Sequence, residues 1–195
     1  IEGDRVSYSH VEAEIDREKG LATVTVRGPS AAAPASVEAA HALGATFWPL
    51  VVARELEDAI LHLRTNEAAI GVLLLRTEGN AQAVLDHDDF LARANGDWLM
   101  REIRHYLKRV LKRVDVTAKS FIALIEPGSC FAGTLAELAF AADRTYTVNS
   151  PNSWSVASVD EALGLVYVPM GNQPPDQWGG QRSAAVEKVS SAVAA

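Results

Sequence analysis

Two short stretches near the start of the chain alternate between apolar and polar residues. Apolar side chains occupy every second position over residues 11–15, and they do so again over residues 22–26. A period of two is typical of a β-strand with one buried face. The polar turn over residues 16–20, which ends in Gly20, predicts that the two strands form a β-hairpin.

The next segment changes from loop to helix to strand. Residues 28–46 are rich in Ala, Pro and Ser, which predicts a loop that is either a simple spacer or mobile. Pro49 suits the first turn of a helix, and apolar residues follow it at helical spacing. They are Val52, Leu56, Ile60 and Leu63. The apolar run over residues 70–75 predicts a buried strand, and the strand–helix–strand order predicts a parallel crossover connection.

A second amphipathic helix is predicted to begin after Asp97, a good N-cap residue. Its apolar stripe consists of Ile103, Leu107, Val110, Leu111 and Val114. Its other side is basic and carries Arg101, Arg104, Lys108, Arg109, Lys112 and Arg113. Such a face is either a solvated or subunit-facing surface or a site for an anionic ligand.

Residues 120–148 contain the features that most directly indicate a functional site. Residues 121–125 form an uninterrupted apolar run, typical of a strand covered on both faces, and a Pro-Gly pair then interrupts it. The strong helix formers of residues 135–142 predict a short helix, and residues 145–148 predict a further strand. The turn before the helix directs backbone N–H groups and the positive end of the helix dipole at one point. That point suits a phosphate, a carboxylate or a thioester oxyanion.

Composition narrows the functional classes. The 195-residue chain has a formal net charge of −7 and a pI near 5.2, which disfavours nucleic-acid binding. No apolar run approaches the ~20 residues of a membrane span, and the N-terminal residues lack a secretory signal pattern. The single cysteine excludes an internal disulfide, so we expect a soluble, cytoplasmic protein.

Three groups of residues in and after the 120–148 turn carry a family resemblance. They are Ala132-Gly133-Thr134, Glu137-Leu138-Ala139 and Ala142-Asp143-Arg144. Their order resembles the central motif of the crotonase (enoyl-CoA hydratase/isomerase) superfamily. The runs IEPGSCFAGT and AELAFAADR, with FWPLVVARELEDAILHLRTNE and VLLLRTEG upstream, are most similar to the second crotonase-like half of the benzoyl-CoA-dihydrodiol lyases. The resemblance covers residues 11–169.

The resemblance implies an α/β fold of the ClpP/crotonase type, with layered parallel sheets and flanking helices. It implies a crotonase-like core over residues 1–170, which a polar, turn-rich tail over residues 171–195 follows. A short helix is predicted within that tail, over residues 183–195. Members of the family normally continue for many tens of residues beyond this core. We therefore expect an abbreviated C-terminal part, and an acyl pocket whose closure depends on another chain or another half.

The resemblance also implies site residues. Glu137 lies where hydratases of the family keep one of two catalytic carboxylates, and Asp160 or Glu161 is the candidate for the second. The backbone N–H groups of Gly133 and Thr134 would hold the thioester oxyanion. Alternatively, Thr134 and Glu137 form a capping box that only stabilises the helix.

A further oxyanion donor comes, in the family, from a loop with an Ala-Gly-Ala-Asp signature. That signature is absent here, and the backbone N–H groups of Ala83 and Val84 are the candidates in its place. Two nearby features are interpreted as structural. Residues 86–89 (Asp-His-Asp-Asp) cannot all face one ion within a regular element, which predicts a solvated helix start and no metal site. Cys130, in apolar surroundings, is expected to be a buried and inert thiol.

The function that the resemblance implies is that of a CoA-thioester lyase or hydratase. In its most specific form, water adds to the dihydrodiol of benzoyl-CoA, the ring opens and formate leaves, as part of aerobic benzoate degradation. No metal or redox cofactor is implied, because coenzyme A is part of the acyl-CoA substrate, and the basic helix face could meet its phosphates. The alternatives are a non-catalytic crotonase-like half that serves assembly, and a generic enoyl-CoA hydratase or isomerase. The expected protein partner is a second copy of the chain or a companion crotonase-like half, with no nucleic acid and no membrane.

Overall fold

The computed structural model describes residues 3–147 and, beyond them, the backbone of three short strands at residues 158–160, 165–167 and 193–194. The remaining residues lie outside this described part. Within it, no helix combines the length and the apolar character that crossing a bilayer requires.

One six-stranded mixed sheet, with its strands in chain order, forms the centre of the fold. Its strands are β1 (Arg5–Ser7), β2 (Val11–Asp16), β3 (Leu21–Arg27), β4 (Val72–Glu78), β5 (Ser120–Ile125) and β6 (Arg144–Thr147). Strand β2 is antiparallel to both of its neighbours, β1 and β3. Strands β3 to β6 run parallel to one another. The predicted hairpin is confirmed, with Val11 opposite Val26. The predicted parallel pairing across the first crossover is confirmed by β3 and β4.

Five α-helices within residues 3–147 connect these strands. They are α1 (Val37–Leu43), α2 (Trp48–Thr65), α3 (Ala81–Arg93), α4 (Trp98–Asp115) and α5 (Gly133–Ala141). Pro49 lies in the first turn of α2, as the sequence predicts. Asp97 caps α4, and its Oδ1 accepts hydrogen bonds from the N–H groups of Leu99 (2.9 Å) and Met100 (3.2 Å). The two long helices therefore begin where their sequence signals place them.

The prediction of a loop over residues 28–46 is wrong for its second part, where α1 and a 3₁₀ turn (Gly44–Thr46) form. The Ser36 side chain accepts a hydrogen bond from the Ala39 N–H (3.2 Å). The helix ends at Gly44, whose φ of 52° lies in the left-handed region that glycine tolerates best. The Ala-rich composition that suggests a spacer is also a good helix composition once such caps are present.

One apolar cluster joins the sheet to the helices, with α2 and α4 supplying the largest helical share. The buried residues of α4 are Met100, Ile103, Leu107, Val110 and Val114. This confirms the predicted stripe except at Leu111, which is half-buried. Each fully buried aliphatic side chain of this kind stabilises the fold by about 1.5–3 kcal/mol.

The expectation that residues 121–125 are covered on both faces is wrong for the described part of the chain. In β5, Phe121 and Ala123 are buried, whereas Ile122 and Leu124 are only half-buried. One face of the strand thus joins the core, and the other is only partly covered by residues 3–147. A continuous apolar run does not by itself distinguish these two situations.

The C-terminal predictions fall largely outside the described residues. A second, three-stranded antiparallel sheet consists of β7 (Ser158–Asp160), β8 (Leu165–Tyr167) and β9 (Val193–Ala194). The predicted domain boundary near residue 170 stays a prediction. The predicted short helix over residues 183–195 also lies outside the described part, apart from residues 193–194, which are extended.

Candidate functional site

The N-terminus of α5 is bound by a carboxylate from α3. The Thr134 N–H donates to Asp88 Oδ2 (2.6 Å), and the Thr134 hydroxyl donates to Asp88 Oδ1 (2.6 Å). The N-cap residue of α5 is Ala132, whose side chain has no oxygen that could accept a hydrogen bond. Asp88 therefore supplies, from a different helix, the negative charge and the acceptor atoms that a helix N-terminus favours.

The capping-box interpretation of Thr134 and Glu137 is wrong. Helix α5 begins at Gly133, one residue before Thr134, so Thr134 is inside the helix rather than at its N-cap. The Thr134 side chain is directed to Asp88 and not to the backbone of its own helix. Glu137 is an exposed residue one turn further along α5.

Gly133 allows Asp88 to approach the helix end this closely. Its φ is +46°, and a Cβ atom built on it would lie 2.0 Å from Asp88 Oδ2. Any larger residue would force the Asp88 carboxylate to move, and the backbone conformation is itself unfavourable for other residues. Glycine is favoured at this position by its backbone conformation and, while Asp88 is in place, by the space that it leaves.

The predicted oxyanion donors are mostly engaged within the chain. The Thr134 N–H is bound to Asp88. The Ala83 N–H donates to Asn80 Oδ1 (3.3 Å), and the Val84 N–H donates to the Asn80 carbonyl (3.3 Å). Because Asn80 is the N-cap of α3, these two groups belong to the first turn of that helix, and their role in an oxyanion hole stays a prediction. The Gly133 N–H donates to no other residue of the described part.

A cleft of about 800 Å³ lies between α3, α4 and α5 and includes this junction. Asp88 and Asp89 of α3, together with Thr134 and Glu137 of α5, line one side of it. Apolar side chains, among them Leu91, Leu107 and Leu111, line part of the remainder. The sequence-predicted carboxylate Glu137 is therefore placed in a cavity large enough for an organic ligand.

The opposite wall of the cleft is basic. Five residues of α4 with basic side chains line it, together with Leu107, Leu111 and Asp115 of the same helix: Arg101, Arg104, His105, Lys108 and Lys112. Arg104 Nη1 donates to Asn95 Oδ1 (2.7 Å), and none of the five forms an ion pair with a carboxylate of the described residues. The other cations of the helix differ, since Arg113 is paired with Glu57 (2.5 Å) and Arg109 lies over the Tyr106 ring (5.3 Å).

The second predicted carboxylate is not placed by the structure. Asp160 lies at the end of β7, where only the backbone is described, and Glu161 lies outside the described residues. Whether either of them reaches the Glu137 cleft stays a prediction.

Residues 86–89 and Cys130, which were predicted to have structural roles, lie in different environments. His87 is buried, and its Nδ1 lies 2.9 Å from the Ala83 carbonyl, while Asp86 accepts a hydrogen bond from Gln82. The prediction of a solvated helix start at residues 86–89 is wrong, because these residues lie in the middle of α3 (Ala81–Arg93) and His87 is buried. Cys130 is fully buried, and this burial raises the pKa of its thiol, which agrees with the expected inert role.

Asp88 is the site residue that the sequence prediction missed. It was assigned to a solvated helix start, although its carboxylate contacts a helix 46 residues further along the chain. One sequence feature indicates that such a residue is needed. The N-cap position of α5 is Ala132, whose side chain cannot accept a hydrogen bond, so the helix has no local cap. Nothing in the local sequence identifies the residue that takes this place.

Comparison with known proteins bears on the larger part of the chain. The chain is similar in fold to an enoyl-CoA hydratase from Shewanella pealeana, with a TM-score of 0.48, 16% identity, and coverage of 71% of this chain and 46% of that one. A similar likeness holds for an enoyl-CoA hydratase/isomerase from Xanthobacter autotrophicus, with a TM-score of 0.45 and 19% identity over 72% of this chain and 46% of that one.

Sequence identity is much higher with benzoyl-CoA-dihydrodiol lyase of Aromatoleum evansii, at 46% over 165 residues. The larger part of the chain is therefore similar to that lyase. The match covers 85% of this chain and 30% of the lyase, so the chain spans about a third of the length of that relative.

The C-terminal residues show a different likeness. Residues 134–195 match a PQQ family profile described as the β-propeller domain of glucose/ethanol/alcohol dehydrogenases. Quinoprotein glucose dehydrogenase of Escherichia coli is 36% identical over 86 residues, which are 44% of this chain and 10% of that enzyme. The corresponding Gluconobacter oxydans enzyme is 53% identical over 47 residues, which are 24% of this chain and 6% of that enzyme. The side chains of this segment beyond Thr147 lie outside the described residues, so no quinone site is assigned to the chain.

This second likeness includes residues 171–195, which were predicted to be a short, polar tail of a crotonase-like core. The profile match begins at Thr134, within α5, and therefore overlaps the end of the crotonase-like part. The C-terminal residues resemble a propeller segment, which the sequence prediction did not identify. A single short segment gives no repeat period from which a propeller could be inferred.

Proposed function

We propose that the crotonase-like part binds a CoA thioester and contributes to a lyase that opens the dihydrodiol ring of benzoyl-CoA by addition of water. The observation that carries the proposal is the 46% identity, over 85% of this chain, with a protein named benzoyl-CoA-dihydrodiol lyase. Because the chain spans 30% of that relative, the complete activity is proposed for a protein that contains this segment together with further crotonase-like structure.

The reacting end of the substrate is proposed to lie beside Glu137. Its carboxylate lines the cleft and is exposed, so it can accept a proton from a bound water and return a proton to the acyl group. The Gly133 N–H, at the positive end of the α5 dipole, is the proposed donor to the thioester oxygen as negative charge develops on it. Asp160 or Glu161 remains the proposed second carboxylate.

The phosphates of coenzyme A are proposed to lie along the basic wall. From Arg101 to Lys112 the cleft-facing cations of α4 extend over about 16 Å of helix, at 1.5 Å per residue. Cations that lack carboxylate partners among the described residues are free to pair with phosphate oxygens. Leu107 and Leu111 line the same cleft and offer apolar surface for the uncharged arm of coenzyme A.

Charge reversal on α4 tests this placement. In calorimetric titrations at fixed salt, the Lys108→Glu/Lys112→Glu variant is expected to bind benzoyl-CoA about tenfold or more weakly than the wild-type chain, since two phosphate contacts become repulsive. Arg109→Glu is the matched control, because Arg109 is an exposed cation of the same helix that does not line the cleft. Equal losses for both variants would indicate a general charge effect and would reject the basic wall as the phosphate site.

A second candidate is a non-catalytic crotonase-like half that binds or assembles with a catalytic companion. The specific observation in its favour is that Asp88 occupies the Thr134 N–H and that Ala83 and Val84 are committed to α3. Turnover of the benzoyl-CoA dihydrodiol is measured with a protein that contains this segment together with the further crotonase-like structure, as wild type and as Glu137→Gln. Turnover that Glu137→Gln abolishes, with an unchanged melting temperature, supports catalysis by this segment, and turnover that Glu137→Gln leaves unchanged supports the companion role.

A further inference from the structure

We propose that Asp88 is a built-in occupant of the anion-binding end of α5, which a CoA thioester must displace before its carbonyl oxygen can reach that end of the helix. This inference rests on the proposed function, because it assumes that a thioester enters the cleft. It adds a residue on α3 that opposes binding in the closed conformation described here.

The contact has the features of an anion bound at a helix N-terminus. Both oxygens of Asp88 accept hydrogen bonds from Thr134, one from the backbone N–H and one from the hydroxyl, each at 2.6 Å. The local N-cap residue, Ala132, offers no competing acceptor from its side chain. The absence of a Cβ at Gly133 leaves the space that Asp88 Oδ2 occupies. The carboxylate thus stands where an external anion would bind.

A thioester oxyanion and the Asp88 carboxylate cannot share this place. The Thr134 N–H already donates to Asp88 Oδ2 (2.6 Å), so a thioester oxygen that accepted from this group would have to take the place of that carboxylate oxygen. Two negative charges a few ångströms apart repel each other, more strongly near a protein interior than in water. One of the two must leave.

The cleft provides a place for the displaced carboxylate. Asp88 is half-buried and lines the cleft, so its side chain has open space on one side. The cations of α4 line the same cavity and have no carboxylate partner among the described residues. If Asp88 rotated away from Thr134, its carboxylate would leave the N-terminus of α5 and approach the basic side chains of α4.

A purely structural role makes a different prediction. If Asp88 only replaces the missing N-cap of α5, its removal lowers stability and leaves thioester affinity unchanged. If it is a displaceable occupant, removal of its charge strengthens thioester binding. The two roles are therefore distinguished by affinity rather than by stability.

The test uses the full chain and its Asp88→Asn variant, titrated calorimetrically with benzoyl-CoA and with free coenzyme A. The Asn side chain keeps an acceptor oxygen for the Thr134 N–H, so the cap is retained while the charge is lost. Benzoyl-CoA is expected to bind the variant about tenfold or more tightly, the effect of one charge-assisted hydrogen bond, and free coenzyme A about equally, since it has no thioester carbonyl. Asp86→Asn, which removes an exposed carboxylate of the same helix that does not line the cleft, is expected to change neither affinity.

Each outcome decides between the proposals. Unchanged or weaker benzoyl-CoA binding by Asp88→Asn, with coenzyme A still bound, would overturn the role of Asp88 and leave the proposed function standing. No binding of either ligand to either protein would overturn both. If the variant does not fold, the ¹³C resonance of the Asp88 carboxyl group in the wild-type chain decides. It is expected to shift on saturation with benzoyl-CoA, and an unmoved resonance would contradict displacement.

Discussion

Gly133 and Asp88 are so close that no other residue fits at position 133 without moving the carboxylate. A Cβ at 133 would lie 2.0 Å from Asp88 Oδ2, and the backbone φ of +46° is unfavourable for other residues. The same two residues define the end of α5 that the proposed function assigns to a thioester. Their contact therefore affects both stability and ligand binding.

Substitution of Gly133 by Ala is expected to lower the free energy of unfolding by about 1–3 kcal/mol, through backbone strain and loss of the Asp88 hydrogen bonds. Urea denaturation measures the change. Gly96→Ala is the control, because a Cβ there meets nothing within 4 Å, and its effect should be within about 0.5 kcal/mol. In an Asp88→Ala background the cost of Gly133→Ala should shrink, since the clash is gone. Equal costs in both backgrounds would contradict the contact.

Glu67 forms a two-pronged ion pair with Arg17, which joins the β2–β3 turn to the segment after α2. Arg17 Nε and Nη2 donate to Glu67 Oε2 (2.9 Å) and Oε1 (2.6 Å), and Arg17 lowers the pKa of Glu67 below its usual range. A lowered folded-state pKa contributes stability that is present above the unfolded-state pKa and is lost as pH falls through the folded-state value. Glu67→Gln is therefore expected to cost about 1 kcal/mol at pH 7, because Arg17 is partly exposed, and the cost should shrink as the pH falls through the lowered pKa of Glu67.

Denaturation curves at several pH values test the Glu67 prediction. Glu18→Gln is the control, since Glu18 lies in the same turn and is exposed. A Glu67→Gln deficit that persists undiminished at low pH would show that the pair contributes nothing through its charge.

Asp97 fixes the start of the helix that carries the basic wall. Its Oδ1 caps the N–H groups of Leu99 and Met100, and its Oδ2 lies 3.0 Å from His41 Nε2. Asp97→Ala is expected to lower the free energy of unfolding by about 1 kcal/mol, and Asp97→Asn by much less because it keeps a cap oxygen. Thermal unfolding of the two variants compares them. Equal losses would assign the effect to the His41 contact instead of the cap.

Cys130 should be unreactive in the native chain. It is fully buried, burial raises the pKa of its thiol, and its N–H is bound to Thr77 Oγ1 (2.9 Å). A thiol reagent at neutral pH is expected to label it slowly without denaturant and rapidly in guanidinium chloride. Rapid, complete labelling of the native chain would contradict the packing around this residue.

Local sequence signals predict the regular elements and their order well. The alternation over residues 11–26 gives the hairpin, Asp97 gives the start of α4, and the strand–helix–strand order gives the parallel pairing of β3 and β4. These features depend on neighbours in the sequence. The loop prediction before α2 fails because the Ser36 cap converts an Ala-rich spacer into a helix.

The site is less predictable, because its geometry depends on contacts between distant segments. Glu137, which the resemblance singles out as part of one continuous motif, lines the cleft, and its catalytic role stays a prediction. The engagement of Thr134 by Asp88 follows from how α3 packs against α5, whereas Asn80, the N-cap of α3, engages Ala83 and Val84 locally. The propeller likeness of residues 134–195 was missed because one short segment shows no repeat.

The central claim is that the N-terminus of α5 receives the carbonyl oxygen of a CoA thioester. The most direct test is the backbone amide resonance of Gly133 in ¹⁵N-labelled protein, recorded during titration with benzoyl-CoA and, separately, with free coenzyme A. The account predicts a large shift of this resonance with benzoyl-CoA and a much smaller one with coenzyme A. A Gly133 resonance that stays in place at saturating benzoyl-CoA would contradict it.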